Sequence, residues 1–157
     1  VSYAFEYLKV DAITVHPYLG REALKPFLDR KDKGIIVLCR TSNEGAGEYQ
    51  DLRVKGKKLY MQVAKEVSRS WNKNKNCLLV VGATYPKEMK QIRAIVGDMT
   101  FLVPGIGAQG GDIEKSVKAG KNTKGRGMII SASRSVLQAK NPRKEAMKLR
   151  DEINRYW

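Results

Sequence analysis

A parallel α/β fold is predicted by three features of this sequence. Short aliphatic runs at residues 12–15, 35–39, 78–81, 101–103 and 128–130 punctuate the chain. They are continuous, not alternating in polarity, as suits strands buried on both faces. Segments of helical periodicity lie between them, so strand and helix alternate five times. Neither a low-complexity linker nor a break in composition interrupts the pattern, and residues 1–157 therefore read as one domain.

Each element carries its own signature. Tyr3, Ala4, Phe5, Tyr7 and Leu8 are apolar at helical spacing and run straight into the first strand, which reads as the tail of a helix from a longer polypeptide. Residues 21–29 set Ala23, Leu24, Phe27 and Leu28 on one side. Residues 59–71 repeat Leu59, Val63, Val67 and Trp71 at every fourth position. Residues 86–96 begin with proline in the first turn and carry Met89, Ile92, Arg93 and Val96. Residues 112–119 form a shorter helix that stops at Gly120. The last helix has Asn141 as N-cap and Pro142 at its first position, with Ala146, Leu149 and Ile153 along one face.

Composition narrows the function classes. With 157 residues, 42% apolar and 29% charged, the chain has the profile of a soluble domain with a real core. It holds neither a run long enough to span a membrane nor a signal-like pattern, so the expectation is a cytoplasmic protein without a membrane partner. Cys39 and Cys77 sit inside apolar runs and read as reduced, buried small hydrophobes. Together with a single histidine they cannot build a structural zinc site. The formal net charge of +14 admits either a nucleic-acid partner or anionic small molecules. The basic residues are scattered, however, at helix ends and on polar faces. The aromatic-plus-basic clustering of single-strand readers is missing, so a nucleic-acid partner is not expected.

The strand ends carry the chemistry. After the fourth strand comes Pro104-Gly-Ile-Gly-Ala-Gln-Gly-Gly-Asp112, which contains G-x-G-x-x-G. Glycines there let backbone N–H groups approach a phosphate. A dinucleotide fold would put this turn at its first strand and an acid at the end of the second. Here the turn follows the second-last strand, and the last strand ends in Ser131-Ala-Ser-Arg-Ser135 without an acid. Periodicity alone leaves open a doubly wound sheet or part of a (βα)8 barrel, but barrels bind phosphate with the loops after strands 7 and 8. Arg134 offers a permanent, forked charge and Gln109 an amide N–H. Gly110 and Gly111 are read as opening a short helix whose N-terminus favours anions.

The glycine turn resembles the strand-7 signature of the orotidine 5'-phosphate decarboxylases, in their longer bacterial-type branch. So do Asp11-Ala-Ile-Thr-Val-His-Pro-Tyr-Leu-Gly20, Val37-Leu-Cys-Arg-Thr-Ser-Asn43, Leu79-Val-Val-Gly-Ala-Thr84 and Ile129-Ile-Ser-Ala-Ser-Arg-Ser135. The five matches fall in order, as strands 4 to 8 of a TIM (βα)8 barrel. The resemblance thus implies a partial barrel of about the last five βα units. It implies decarboxylation of orotidine 5'-monophosphate to uridine 5'-monophosphate without metal or organic cofactor, and a homodimer when intact.

Carried over position by position, the resemblance implies phosphate binding by Gln109, Gly110 and Arg134. It implies pyrimidine contacts from Ser42, with Thr41 as the neighbouring candidate, and from Pro104. His16 stands where the branch carries asparagine, and is read as a structural hydrogen-bonding residue. The family's Asp-x-Lys-x-x-Asp array does not occur in the sequence and is expected upstream of Val1, so this chain alone is expected to be inactive. The superficially similar Asp29-Arg-Lys-Asp-Lys33 lies in a helix-to-strand connection, at the wrong end for catalysis. Residues 41–52 and 120–127 are the candidate lids, and the second is favoured because it leads toward Arg134. The alternatives are another phosphate-binding barrel enzyme, a degenerate pseudoenzyme, or a basic nucleic-acid-binding α/β module.

Overall fold

A computed structural model describes residues 1–107 and 109–157 of the chain. A π-helical turn over Tyr3–Tyr7 precedes β1 (Ala12–Val15), α1 (Gly20–Leu28) and β2 (Gly34–Arg40). The short α2 (Gly47–Gln50) and a hairpin of β3 (Arg53–Val54) and β4 (Lys57–Lys58) follow, then α3 (Leu59–Glu66) and β5 (Cys77–Val81). The chain ends with α4 (Pro86–Val96), β6 (Phe101–Pro104), α5 (Ile113–Gly120), β7 (Met128–Ser131), α6 (Arg134–Leu137) and α7 (Pro142–Asn154). All five aliphatic runs become strands, each within a residue or so of its expected bounds. The hairpin, α2 and α6 lie in stretches too short and polar for periodicity to reveal. In the hairpin, Lys55 and Gly56 both take positive φ, as its two-residue turn requires.

The five long strands form one parallel sheet in the order β1-β2-β5-β6-β7, with Val15, Val37, Leu79, Phe101 and Met128 in register across it. The order never reverses. A doubly wound sheet reverses at its switch point, whereas a barrel winds steadily in one sense, so the sheet is part of a (βα)8 barrel.

Winding in one sense puts the crossover helices on one face. There Ile35, Val37, Leu79, Val81, Phe101 and Val103 are wholly buried against Leu24, Leu28, Met89, Ile92 and Val117 of the helices. Ile36, Leu38, Leu78 and Leu102, on the opposite face, are only half covered. The expected burial of both faces therefore holds fully for one of them, and on the other only for Val80 of these central positions. The stripe of α3 also differs from expectation. Tyr60, Ala64, Val67 and Trp71 are buried, while Leu59 and Val63 are half exposed. A strict four-residue repeat drifts around a helix of 3.6 residues per turn, whereas 4-3-4 spacing stays on one side. The chain continues from α3 as a π-helical turn over Val67–Trp71, which keeps Trp71 on the core. Of the face expected on α7, Leu149 and Ile153 are half-buried and Ala146 is exposed.

The connection 121–127 joins α5 to β7, so it lies at the amino ends of the strands, and its proposed lid role over Arg134 is corrected. It is fastened there. Thr123 donates to the Asp98 carboxylate through its backbone N–H (3.2 Å) and its hydroxyl (3.0 Å). The Arg93 guanidinium, 3.7 Å from the Phe101 ring centroid, donates to the carbonyls of Gly97, Met99, Gly120 and Gly127. It thereby ties the ends of α4 and α5 to the starts of β6 and β7. Burial pushes its pKa down to about 10, still high enough to keep it charged at neutral pH.

Arg93→Ala would leave those carbonyls without their shared donor, at an expected cost of about 3 kcal/mol measured by urea denaturation. Both cysteines are free and buried, and burial pushes the thiol of Cys39 up to about 12 and that of Cys77 up to about 11. Neither should react with an aromatic disulfide reagent at pH 8 in the native protein, and both should react once it is unfolded.

Candidate functional site at the carboxyl ends of the strands

Five parallel strands deliver their following loops to a single end of the sheet, where barrels and open α/β sheets hold ligands. His16, residues 41–43, residues 82–85, the turn from Gly105 to Asp112 and residues 132–134 all emerge there. The loops interlock through hydrogen bonds that cross from strand to strand. Gly82 N–H donates to the Arg40 carbonyl at 2.7 Å, and Ala83 N–H to the Pro104 carbonyl at 2.9 Å. Thr84 Oγ1 donates to the Ser42 carbonyl at 3.2 Å, and buried Ser116 of α5 donates to the Ala83 carbonyl at 3.1 Å.

Ser42 is the hub. Its hydroxyl donates to Gln109 Oε1 at 2.9 Å, joining the loop after β2 to the glycine turn after β6. That frees the Gln109 amide NH2 to point elsewhere. Two glycines allow the approach: a Cβ on Gly82 would lie 2.7 Å from Ser42 Cα, and one on Gly105, at φ +98°, would lie 2.9 Å from Ser42 Cβ. Gly107, at φ +86°, likewise comes so close to Ser135 that a Cβ would meet its Oγ at 2.7 Å. The glycine turn is thereby brought beside the loop that carries Arg134.

The residues singled out from the sequence thus converge. Pro104 ends β6 in register with Ser131 of β7. Thr41 and Ser42 are half-buried, while Gln109, Gly110 and Arg134 are exposed. Among the described residues the Arg134 side chain has no hydrogen-bonding or ion-pair partner, so its guanidinium is available to a ligand. Ala108 lies outside the described residues.

Two expectations need correction. The helix after the glycine turn begins at Ile113, not at Gly110, and its N-cap is Asp112, whose carboxylate accepts from Lys115 N–H at 2.9 Å. That N–H holds the carboxyl below its usual range, so the helix N-terminus already has its own anion. The Gly110 and Gly111 N–H groups are also engaged, by the carbonyls of Gly107 and Gly105. Gly110 serves the turn through its φ of +75°. His16 does not behave as a structural hydrogen-bonding residue either. It is exposed where β1 gives way to the turn at Pro17–Leu19, and among the described residues its side chain caps nothing.

Sequence reasoning also passed over Arg40, Gln50 and Tyr85: Gln50 hydrogen-bonds Thr41, and the Arg40 guanidinium lies against both Gln50 and the Tyr85 ring. A signal existed for Arg40, an arginine closing an aliphatic strand, but Gln50 and Tyr85 are ordinary loop residues. An open groove of about 470 Å³ elsewhere is lined only by α7 and its flanks, from Asn141 to Arg155. Groups from several elements do not converge in it, and it is a weaker candidate.

The family model described as orotidine 5'-phosphate decarboxylase / HUMPS family matches residues 1–149. A curated relative from Janthinobacterium sp. (strain Marseille), named orotidine 5'-phosphate decarboxylase, is 52% identical over 160 residues, which cover 98% of this chain and 59% of the relative. The chain therefore spans about three-fifths of the length of that relative. Among solved structures, UMP synthase of Leishmania donovani superposes with a TM-score of 0.96 at 45% identity, covering 99% of this chain and 35% of that one. OMP decarboxylase of the same organism superposes with a TM-score of 0.93 at 42% identity, covering 99% and 60%. Sequence, winding and site architecture agree, and the chain belongs to the orotidine 5'-phosphate decarboxylase / HUMPS family.

Proposed function

We propose that this chain forms the substrate-gripping part of an orotidine 5'-monophosphate decarboxylase, which acts in pyrimidine biosynthesis to yield uridine 5'-monophosphate. The observation that carries the reading is the convergence of an unpartnered Arg134 with the Ser42–Gln109 hydrogen bond at one end of the sheet. Arg134 and the Gln109 amide NH2 grip the phosphate, with Gly110 shaping the turn between them. Ser42, Thr41 and Pro104 line the pyrimidine. Segment 41–52 emerges at this end, and any closing motion over the ligand is assigned to it. The protein acts as a homodimer in the cytoplasm.

The residues that break the carbon–carbon bond are not among these 157. The Asp-x-Lys-x-x-Asp array of the resemblance is absent from them, so catalysis needs a polypeptide that carries it. The grip still matters to the rate. Binding energy at a phosphate remote from the reacting carbon holds the pyrimidine in place and offsets the cost of ordering the site.

In the full-length gene product, Arg134→Ala should lower kcat/KM for orotidine 5'-monophosphate by about two orders of magnitude, roughly 3 kcal/mol of lost charge-assisted binding. An unchanged kcat/KM would remove Arg134 from the site. Uridine 5'-monophosphate binding should weaken only a few fold between about 50 and 200 mM salt, because one phosphate is involved. A fall of about a thousandfold, as expected for a polyanion neutralised at many phosphates, would favour the nucleic-acid reading instead.

A further inference from the structure

We infer that Arg40 is a positioning residue for the pyrimidine side of the site, acting through Gln50 on Thr41 and its neighbour Ser42; the inference rests on the reading of this end as a nucleotide site. Parallel pairing of β2 with β5 slips between Leu38 and Arg40, so that Arg40, not Cys39, pairs with Val81. Without the slip, alternation would aim Arg40 at the face opposite Cys39. Instead both reach the α3 side. Cys39 Sγ lies 3.3 Å from the Tyr60 carbonyl, and the Arg40 guanidinium lies 5.8 Å from the Tyr60 ring centroid and 3.8 Å from that of Tyr85.

The Arg40 side chain is 2% exposed, and its fork reaches Gln50 Oε1 at 3.2 Å and Asp51 Oδ2 at 3.4 Å. Lys58 Nζ stands 3.1 Å from the other Asp51 oxygen, without hydrogen-bond alignment. Arg40 Nε has no partner among the described residues. A buried guanidinium with an unused donor is a poor way to gain stability, since apolar residues of similar volume often do as well or better. What the charge does accomplish is to decide which way the Gln50 amide faces.

With Oε1 held toward Arg40, Gln50 also accepts from Thr41 N–H at 3.0 Å and donates through Nε2 to Thr41 Oγ1 at 2.8 Å. The Thr41 hydroxyl, already accepting, must send its own proton outward, and it donates to Asn43 Oδ1 at 2.7 Å. One buried charge thus sets the donor and acceptor sense of residues 41–43. Ser42, between them, is held by Thr84 on its carbonyl and by Gln109 at its hydroxyl.

The test measures uridine 5'-monophosphate affinity by calorimetry, with thermal stability alongside, in the full-length gene product. Gln50→Met removes both links to Thr41. Gln50→Glu keeps an acceptor for Arg40, and a better one, but cannot donate to Thr41, whose hydroxyl must turn back from Asn43. Both variants should keep the wild-type Tm within a few degrees and raise Kd about tenfold. Arg40→Met should raise it similarly, and the Arg40→Met/Gln50→Met double variant should bind no more weakly than the weaker single one, as expected for one shared path. Should Arg40→Met fail to fold, the two Gln50 variants decide the matter. Wild-type affinity in both Gln50 variants, or a loss confined to Gln50→Glu, would overturn the inference and leave the nucleotide reading intact. A wild-type protein that does not bind uridine 5'-monophosphate would overturn both.

Discussion

At Gly82 there is no room for a side chain: a Cβ would come within 2.8 Å of the Ser42 backbone nitrogen and 2.7 Å of its Cα. The other features of the functional end depend on this contact between the carboxyl ends of β2 and β5. It lets Gly82 N–H reach the Arg40 carbonyl and Thr84 reach that of Ser42, and it lets the Ser42 hydroxyl extend across to Gln109 beyond β6. A methyl group there would separate the strands at the point where their loops must touch, and well-packed interiors do not absorb such insertions.

The two ends of the sheet solve different problems with the same residue type. At the amino ends Arg93 faces backbone carbonyls and the Phe101 ring, a closed arrangement that satisfies helix and loop termini. At the carboxyl ends Arg40 is buried against side-chain acceptors of Gln50 and Asp51, while the Arg134 side chain is exposed and unpartnered among the described residues. Rigid scaffold at one end and available polar groups at the other is the division of labour that barrels use. It also explains why the 121–127 connection is a structural strap, although its glycines and lysines resemble those of a mobile loop.

Part of the basic complement is paired locally. Lys25, Lys115 and Lys118 pair with acids three or four residues away on the same helix, and they are well exposed. Such exposed pairs contribute little to stability.

The sequence by itself determined the five strands, because aliphatic runs this dense have nowhere to go but a covered sheet, and it determined the glycine turn and the arginine beyond the last strand. Gln109 and Arg134 stood out in the glycine turn and the loop after the last strand, and Ser42, Thr41 and Pro104 only through the family resemblance; parallel strands bring all five to one end. Only the tertiary structure decided which face of α3 is buried, that Asp112 caps α5, and that residues 121–127 belong to the opposite end. It alone turned Arg40 away from the opposite face of the sheet, since that direction depends on a slip in pairing between β2 and β5. Strand pairing is a property of two segments about forty residues apart, and local pattern carries no record of it.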